Sequence, residues 1–163
     1  MLLARLLLQK GHGTLWLFRT KSGVMPAGSK ILVVEDNYLL AEVVCDFVAE
    51  CGMEPVGPAA GLETGLVYAR ETPIDGAILD INLDGRFCFP ICEVLRERGI
   101  PFAFLTGYSN LSLVPQEFRH VPLIAKPFEP SEMKSAIEGM LGGHSPGPLA
   151  RARSSIARPA VTS

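Results

Sequence analysis

Short apolar runs rich in β-branched residues alternate with segments of helical periodicity from residue 30 onward. This alternation is typical of α/β domains, in which helices connect the strands of a parallel sheet and cover both of its faces. The apolar runs predict five strands, at residues 30–34, 54–56, 74–79, 101–105 and 122–125. Four helices are predicted after them, at residues 38–51, 62–71, 87–98 and 130–141. We therefore expect a doubly wound α/β domain, with a short or mobile fourth helix where Pro115 interrupts the pattern of residues 108–120.

Polar side chains stand at the ends of four of the predicted strands. Glu35 and Asp36 follow the first strand, and Asp80 follows the third. Thr106 follows the fourth strand and Lys126 follows the fifth. A charge at the end of a buried strand is costly unless it has a partner or a function. Because the carboxyl ends of parallel strands open onto one edge of the sheet, where ligands bind in doubly wound folds, these residues describe one site.

The residue types at this edge indicate a cation and a phosphoryl group. Crowded carboxylates repel one another, which raises their pKa values unless a cation lies among them. Mg²⁺ prefers oxygen ligands, commonly takes one or two carboxylates and bridges to phosphate. An aspartate can attack phosphorus and form an aspartyl phosphate. Lys126 and Thr106 can supply a charge and a hydroxyl donor to phosphoryl oxygens.

Taken in order, the polar residues at these strand ends resemble the signature of the receiver domain of two-component response regulators. The signature residues are Glu35-Asp36, Asp80, Thr106 and Lys126-Pro127. The resemblance covers residues 30–142. It implies a flavodoxin-like (βα)5 fold, a three-layer sandwich around a parallel five-stranded sheet of order 2-1-3-4-5.

The resemblance also implies roles for the acidic positions. Asp80 is similar to the phosphoacceptor, which takes a phosphoryl group from a phosphohistidine on a partner protein. Glu35 and Asp36 resemble the acidic pair that binds Mg²⁺ together with Asp80, and the backbone carbonyl of Asn82 is a further expected ligand. The loop after Asp80 lacks the Met-Pro pair common in the family, which leaves its shape open. Such a domain is a signalling switch and not an enzyme, apart from self-phosphorylation and self-dephosphorylation.

Thr106 resembles the switch hydroxyl of the family, which moves toward the phosphoryl group, and Lys126 resembles its ion partner. The family usually has a cis peptide bond at the position of Lys126-Pro127. Two residues nearby depart from the family pattern. Leu123 stands where the family often has the aromatic side chain that follows the threonine, and Tyr108 is an aromatic residue that could cover the site or take over the switching role.

We therefore expect a stand-alone receiver that acts as a phosphorylation switch or phosphorelay intermediate. Its expected phosphodonor is a sensor histidine kinase or a histidine phosphotransfer protein. A downstream protein partner is expected on the face formed by the fourth helix, fifth strand and last helix, and a homodimer is possible. The alternative is a constitutive interaction module that keeps the fold and signals without phosphate. A hydrolase with a transient aspartyl phosphate is less favoured, because the sequence shows no cap or substrate domain.

Charge divides the 163 residues into three parts. Residues 30–142, the expected receiver domain, hold all 17 Asp and Glu but eight of the 15 Lys and Arg. The flanking segments, residues 1–29 and 143–163, contain basic residues and no acidic ones. The tail is expected to be disordered, and the N-terminal extension either disordered or a misassigned start with Met25 as the natural one. An acidic core argues against nucleic-acid binding by the globular part.

The apolar stretch at residues 1–8 is broken by Arg5 and too short to span a bilayer, so no transmembrane segment is predicted. A weak amphipathic contact with a membrane or a partner is the alternative for this stretch. The four cysteines show no Cys-x-x-Cys spacing, which favours reduced thiols. We expect a cytoplasmic protein.

Overall fold

The computed structural model describes residues 17–20, 23–26, 28–107 and 111–142. The strands are β1 Leu17–Thr20, β2 Gly23–Pro26, β3 Lys30–Val34, β4 Glu54–Ala59, β5 Gly76–Asp80, β6 Asn82–Leu83, β7 Arg86–Phe87, β8 Phe102–Thr106 and β9 Leu123–Ala125. The α-helices are α1 Tyr38–Glu50, α2 Leu62–Glu71, α3 Phe89–Glu97 and α4 Pro130–Gly142. Two short 3₁₀ turns, Leu111–Leu113 and Gln116–Phe118, lie between β8 and β9.

Five parallel strands form the central sheet in the order β4-β3-β5-β8-β9, which is the predicted order 2-1-3-4-5. Along β3 the buried side chains alternate between the two faces, as the pleat requires. Leu32 and Val34 pack in one core with residues of α2 and α3. Ile31 and Val33 pack in the other core with residues of α1 and α4. The predicted three-layer flavodoxin-like fold is confirmed.

Helix α1 begins shortly after the two acidic residues that follow β3, and Asn37 caps it. The Asn37 side-chain oxygen accepts the backbone N–H of Leu40 at 3.1 Å. The Asn37 backbone N–H donates to Glu35 Oε1 at 3.0 Å. The helix ends before Gly52, whose φ of 78° is the left-handed conformation that favours glycine after a helix. The cap therefore fixes the start of α1 and one oxygen of Glu35 together.

Replacing Asn37 by Ala should lower the free energy of unfolding by about 1 kcal/mol, because the first turn of α1 loses its side-chain acceptor. Asn37→Ser keeps a capping oxygen and should lose only a few tenths of that value. Urea unfolding of both variants in EDTA measures the difference. Equal stability of the Ala and Ser variants would contradict a capping role.

The connection between β5 and α3 differs from the prediction. A helix was expected from residue 87, but Arg86 and Phe87 pair with Leu83 and Asn82 in an antiparallel hairpin, and α3 begins at Phe89. The fourth connection has no α-helix among its described residues, 111–122, and contains the two 3₁₀ turns instead. The poor helical pattern around Pro115 predicted a short or mobile helix in this connection.

The N-terminal extension contains a hairpin that the sequence did not predict. Strands β1 and β2 pair in antiparallel fashion, and β2 lies against α4. Residues 1–16, the tail 143–163 and Tyr108 lie outside the described residues, as do the expectations that rest on them. None of the helices in the described ranges is both long and apolar enough to cross a bilayer. The four cysteines are free thiols.

Candidate phosphoryl and metal site

The register of the sheet brings the predicted site residues to one edge. Asp80 is the last residue of β5, and its neighbour across the sheet is Leu105, directly before Thr106 at the end of β8. Glu35 and Asp36 follow β3, which pairs with β5 up to its last residue. Asp80 and Thr106 are buried. The parallel pairing alone therefore places these groups side by side.

Lys126 connects the two buried carboxylates of the site. Its Nζ lies 2.6 Å from Asp80 Oδ2 and 2.6 Å from Glu35 Oε2. The lysine follows β9, and its backbone N–H donates to the carbonyl of Thr106 at 2.8 Å. The peptide bond between Lys126 and Pro127 is cis, as predicted. Each end of the lysine thus contacts a different member of the site.

Glu35 is the most deeply buried of the acidic residues, with 1% of its surface exposed. Burial raises the pKa of its carboxyl group, and this effect outweighs the opposing effects of Lys126 and the Asn37 N–H. Within the described part of the chain, Glu35 Oε2 receives no hydrogen bond of regular geometry, so Lys126 balances it by charge. For Lys126, burial lowers the pKa, but the interactions of its ammonium group with the Asp80 and Glu35 carboxylates outweigh burial and raise it overall.

The acidic residues fit a hard cation. Glu35, Asp36 and Asp80 each offer a carboxylate oxygen, and these oxygens lie within 4.8 Å of one another. Oxygens at such separations can share one Mg²⁺ either directly or through the waters that the ion retains. Asp36 is exposed to solvent, which leaves the site open on one side. The donor set is all oxygen, as Mg²⁺ requires.

The hairpin after Asp80, which helical periodicity does not predict, also contributes to the site. The Asn82 backbone N–H donates to Asp80 Oδ1 at 3.1 Å, and the Asp84 backbone N–H donates to Asp36 Oδ2 at 2.8 Å. The hairpin therefore contacts both the phosphoacceptor candidate and the exposed member of the acidic pair. The dipeptide Asp84-Gly85, which lies between Leu83 and Arg86, is a known hairpin signal and could have revealed it.

The strand order defines a flavodoxin-like α/β domain, and its acidic edge is a candidate site for a cation and a phosphoryl group. Residues 31–138 match the family model of the response regulator receiver domain. The chain belongs to this family, whose members act in two-component systems.

Known proteins support this membership. The chain is similar to SdrG from Pseudomonas melonis Fr1 in its BeF3-activated conformation, with 38% identity, a TM-score of 0.61, and coverage of 72% of this chain and 99% of SdrG. It is 30% identical over 116 residues to the phyllosphere-induced regulator PhyR of Methylorubrum extorquens, covering 69% of this chain and 43% of PhyR. The chain spans about half the length, or slightly less, of the curated relatives that it matches.

A third similarity is to the receiver domain of a sensor histidine kinase from Pseudomonas aeruginosa PAO1, with a magnesium ion coordinated in its active site cleft. The identity is 22%, the TM-score is 0.59, and the alignment covers 71% of this chain and 99% of that domain. At this identity the likeness supports the fold alone.

Proposed function

We propose that this chain is a phosphoacceptor receiver, which takes a phosphoryl group on Asp80 from a phosphohistidine of a sensor histidine kinase or phosphotransfer protein. The observation that carries the proposal is the position of Lys126, 2.6 Å from both Asp80 and Glu35 at the edge where Asp36 also lies. A buried carboxylate held by a lysine beside further carboxylates suits a nucleophile toward phosphorus. The activated conformation of its relative SdrG supports the same function.

Each residue of the site would have its own role in phosphoryl transfer. The Asp80 carboxylate attacks phosphorus, the phosphorus–nitrogen bond to the donor histidine breaks, and an aspartyl phosphate forms on Asp80. Lys126 would then balance charge on the phosphoryl oxygens, and Thr106 would donate its hydroxyl to one of them. The transfer depends mainly on positioning and charge neutralisation, since a carboxylate is already ionised at neutral pH.

Glu35, Asp36 and Asp80 would hold Mg²⁺, with the backbone carbonyl of Asn82 as a further ligand. The ion, when bound, neutralises charge between the phosphoryl oxygens and the carboxylates. Asp36 would be the direct ligand, because it is exposed and its carboxylate oxygen lies within 4.8 Å of those of Glu35 and Asp80. Glu35 already forms an ion pair with Lys126 and accepts a hydrogen bond from the Asn37 N–H, so it would act mainly by balancing the charge of Lys126.

Phosphorylation would change the face formed by the 3₁₀ turns, β9 and α4. The added negative charge draws Thr106 and Lys126 toward the phosphoryl group, and Lys126 is linked through the backbone to Thr106. Leu123, at the start of β9, is 37% exposed on this edge. A downstream protein would bind to this face in the cytoplasm.

The direct test is the intact mass of the protein after incubation with Mg²⁺ and acetyl phosphate, or with autophosphorylated histidine kinases. The wild type should gain one phosphoryl adduct, and Asp80→Asn should gain none, because the amide is not a nucleophile toward phosphorus. Asp75→Asn is a matched control, since Asp75 is exposed and hydrogen bonds to the N–H of Lys30 away from the site. It should accept phosphate as the wild type does.

The other outcomes select between functions. No adduct with any donor would reject the phosphoacceptor function and favour the constitutive module, as would unchanged partner binding by Asp80→Asn. Repeated turnover of a small phosphate ester would favour the hydrolase. An adduct that persists in Asp80→Asn would move the acceptor to another residue.

A further inference from the structure

The hairpin formed by Asn82–Leu83 and Arg86–Phe87 is fixed at several points around the site. The Arg86 guanidinium forms an ion pair with Glu63 in the first turn of α2. The ring of Phe87 stacks on Phe89 in α3, with centroids 5.4 Å apart. These contacts hold the far strand of the hairpin against two helices. The turn of the hairpin is therefore held in place beside the acidic pair.

The turn has a backbone conformation that few residues accept. Asp84 and Gly85 have φ values of 50° and 81°, so both central residues are left-handed, as a type I′ turn requires. Among the described residues, Asp84 is the only non-glycine residue with positive φ. The Asn82 side-chain oxygen accepts the N–H of Gly85 at 2.8 Å and closes the turn. This conformation points the Asp84 N–H at Asp36 Oδ2, 2.8 Å away.

We propose that Asp84 is a positioning residue for the metal site, acting through its backbone N–H on Asp36. Asp36 is exposed, and an exposed carboxylate loses rotamer freedom when it binds an ion. A hydrogen bond to one of its oxygens fixes the side chain beforehand and leaves the other oxygen for Mg²⁺. Mutating a partner that orients a metal ligand in this way typically weakens metal affinity by about ten- to a hundredfold. This inference rests on the proposed function, in which Asp36 binds Mg²⁺.

The test separates the effect of the backbone conformation at residue 84 from the effect of its side-chain charge. Asp84→Asn and Asp84→Val both remove the charge and both keep the N–H. Asn tolerates the left-handed conformation, whereas a β-branched residue does not. Mg²⁺ affinity is measured by isothermal titration calorimetry without a phosphodonor, with circular dichroism to verify the fold. We expect Asp84→Val to bind Mg²⁺ about tenfold more weakly than Asp84→Asn.

A second measurement keeps the outcome decisive if Asp84→Val folds poorly. Asp84→Gly removes the same charge, retains the N–H and accepts the turn freely, so it should bind Mg²⁺ as Asp84→Asn does. Equal affinity of the Val and Asn variants would overturn the positioning role, as would tenfold weakening by Asn or Gly. Asp36→Asn tests the metal site independently of the positioning role of Asp84. If the wild type fails to bind Mg²⁺ or Asp36→Asn binds equally well, the metal site itself is rejected, and the inference with it.

Discussion

In metal-free buffer, Lys126→Met should be less stable than the wild type by about 3 kcal/mol. Methionine fills a similar volume but removes the ammonium that lies 2.6 Å from both Asp80 and Glu35. Removing one partner of a buried ion pair leaves an uncompensated charge, and here two carboxylates lose their partner at once. Urea unfolding in EDTA at neutral pH measures the loss.

Neutralising the most buried carboxylate should restore part of this loss. The double variant Lys126→Met/Glu35→Gln has one charge fewer in the same site, so the two substitutions should not add. Because Glu35 already has a raised pKa, the single variant should also regain stability as the pH falls and this carboxyl takes up its proton. A Lys126→Met protein as stable as the wild type at neutral pH would show that the lysine does not balance these charges.

The same lysine links the stability of the resting site to its proposed switching. In the unphosphorylated protein Lys126 is bound to Asp80 Oδ2, the side chain that would become the aspartyl phosphate. Transfer would convert that carboxylate into an acyl phosphate and move the negative charge outward. Lys126 would then exchange one partner for another, and its backbone would carry the change to Thr106 and β9. The free energy available for the switch is limited by the difference between the contacts of Lys126 before phosphorylation and its contacts afterwards.

The sheet and the site could be predicted from the sequence because both depend on simple patterns. Buried parallel strands read as continuous apolar runs, so the bounds of β3 were predicted to the residue and those of the other sheet strands to within a few residues. A polar residue at the end of such a run stands out. Parallel pairing then brings Glu35, Asp80 and Thr106 to one edge without any further information.

Hydrophobic periodicity does not predict the hairpin after Asp80. Phe87 fits the helical pattern of α3, but its backbone pairs with Asn82 instead. The deciding feature is the conformation of two residues, Asp84 and Gly85, which hydrophobic periodicity does not encode. Likewise, the contacts of Lys126 with both carboxylates depend on side-chain placement that no spacing in the sequence specifies.

The segment that replaces the fourth helix is short of regular structure, and an aromatic side chain holds it in place. Phe118, in the second 3₁₀ turn, is 2% exposed. Its ring centroid lies 6.3 Å from that of Phe89 and 5.8 Å from that of Phe102. The Arg96 guanidinium covers it, with Cζ 5.6 Å from the centroid. The described residues of this connection, 111–122, form no α-helix, and burial of Phe118 and Val114 attaches the segment to the core.

Phe118→Ala should therefore lower the free energy of unfolding by about 3–5 kcal/mol, through lost burial and the cavity left among the rings. This is a large fraction of the roughly 5–15 kcal/mol that stabilise a typical domain. Phe87→Ala is the matched control, because Phe87 is 44% exposed and stacks on the same Phe89. It should cost about 1 kcal/mol. Urea unfolding in EDTA compares the two variants, and equal losses would show that Phe118 does not anchor the connection. A much larger loss for Phe118→Ala than for Phe87→Ala would show that this one side chain attaches the proposed partner-binding face to the sheet. Phe118 lies on the side of the sheet where Phe104 packs, and Phe104 belongs to β8, the strand that ends at Thr106.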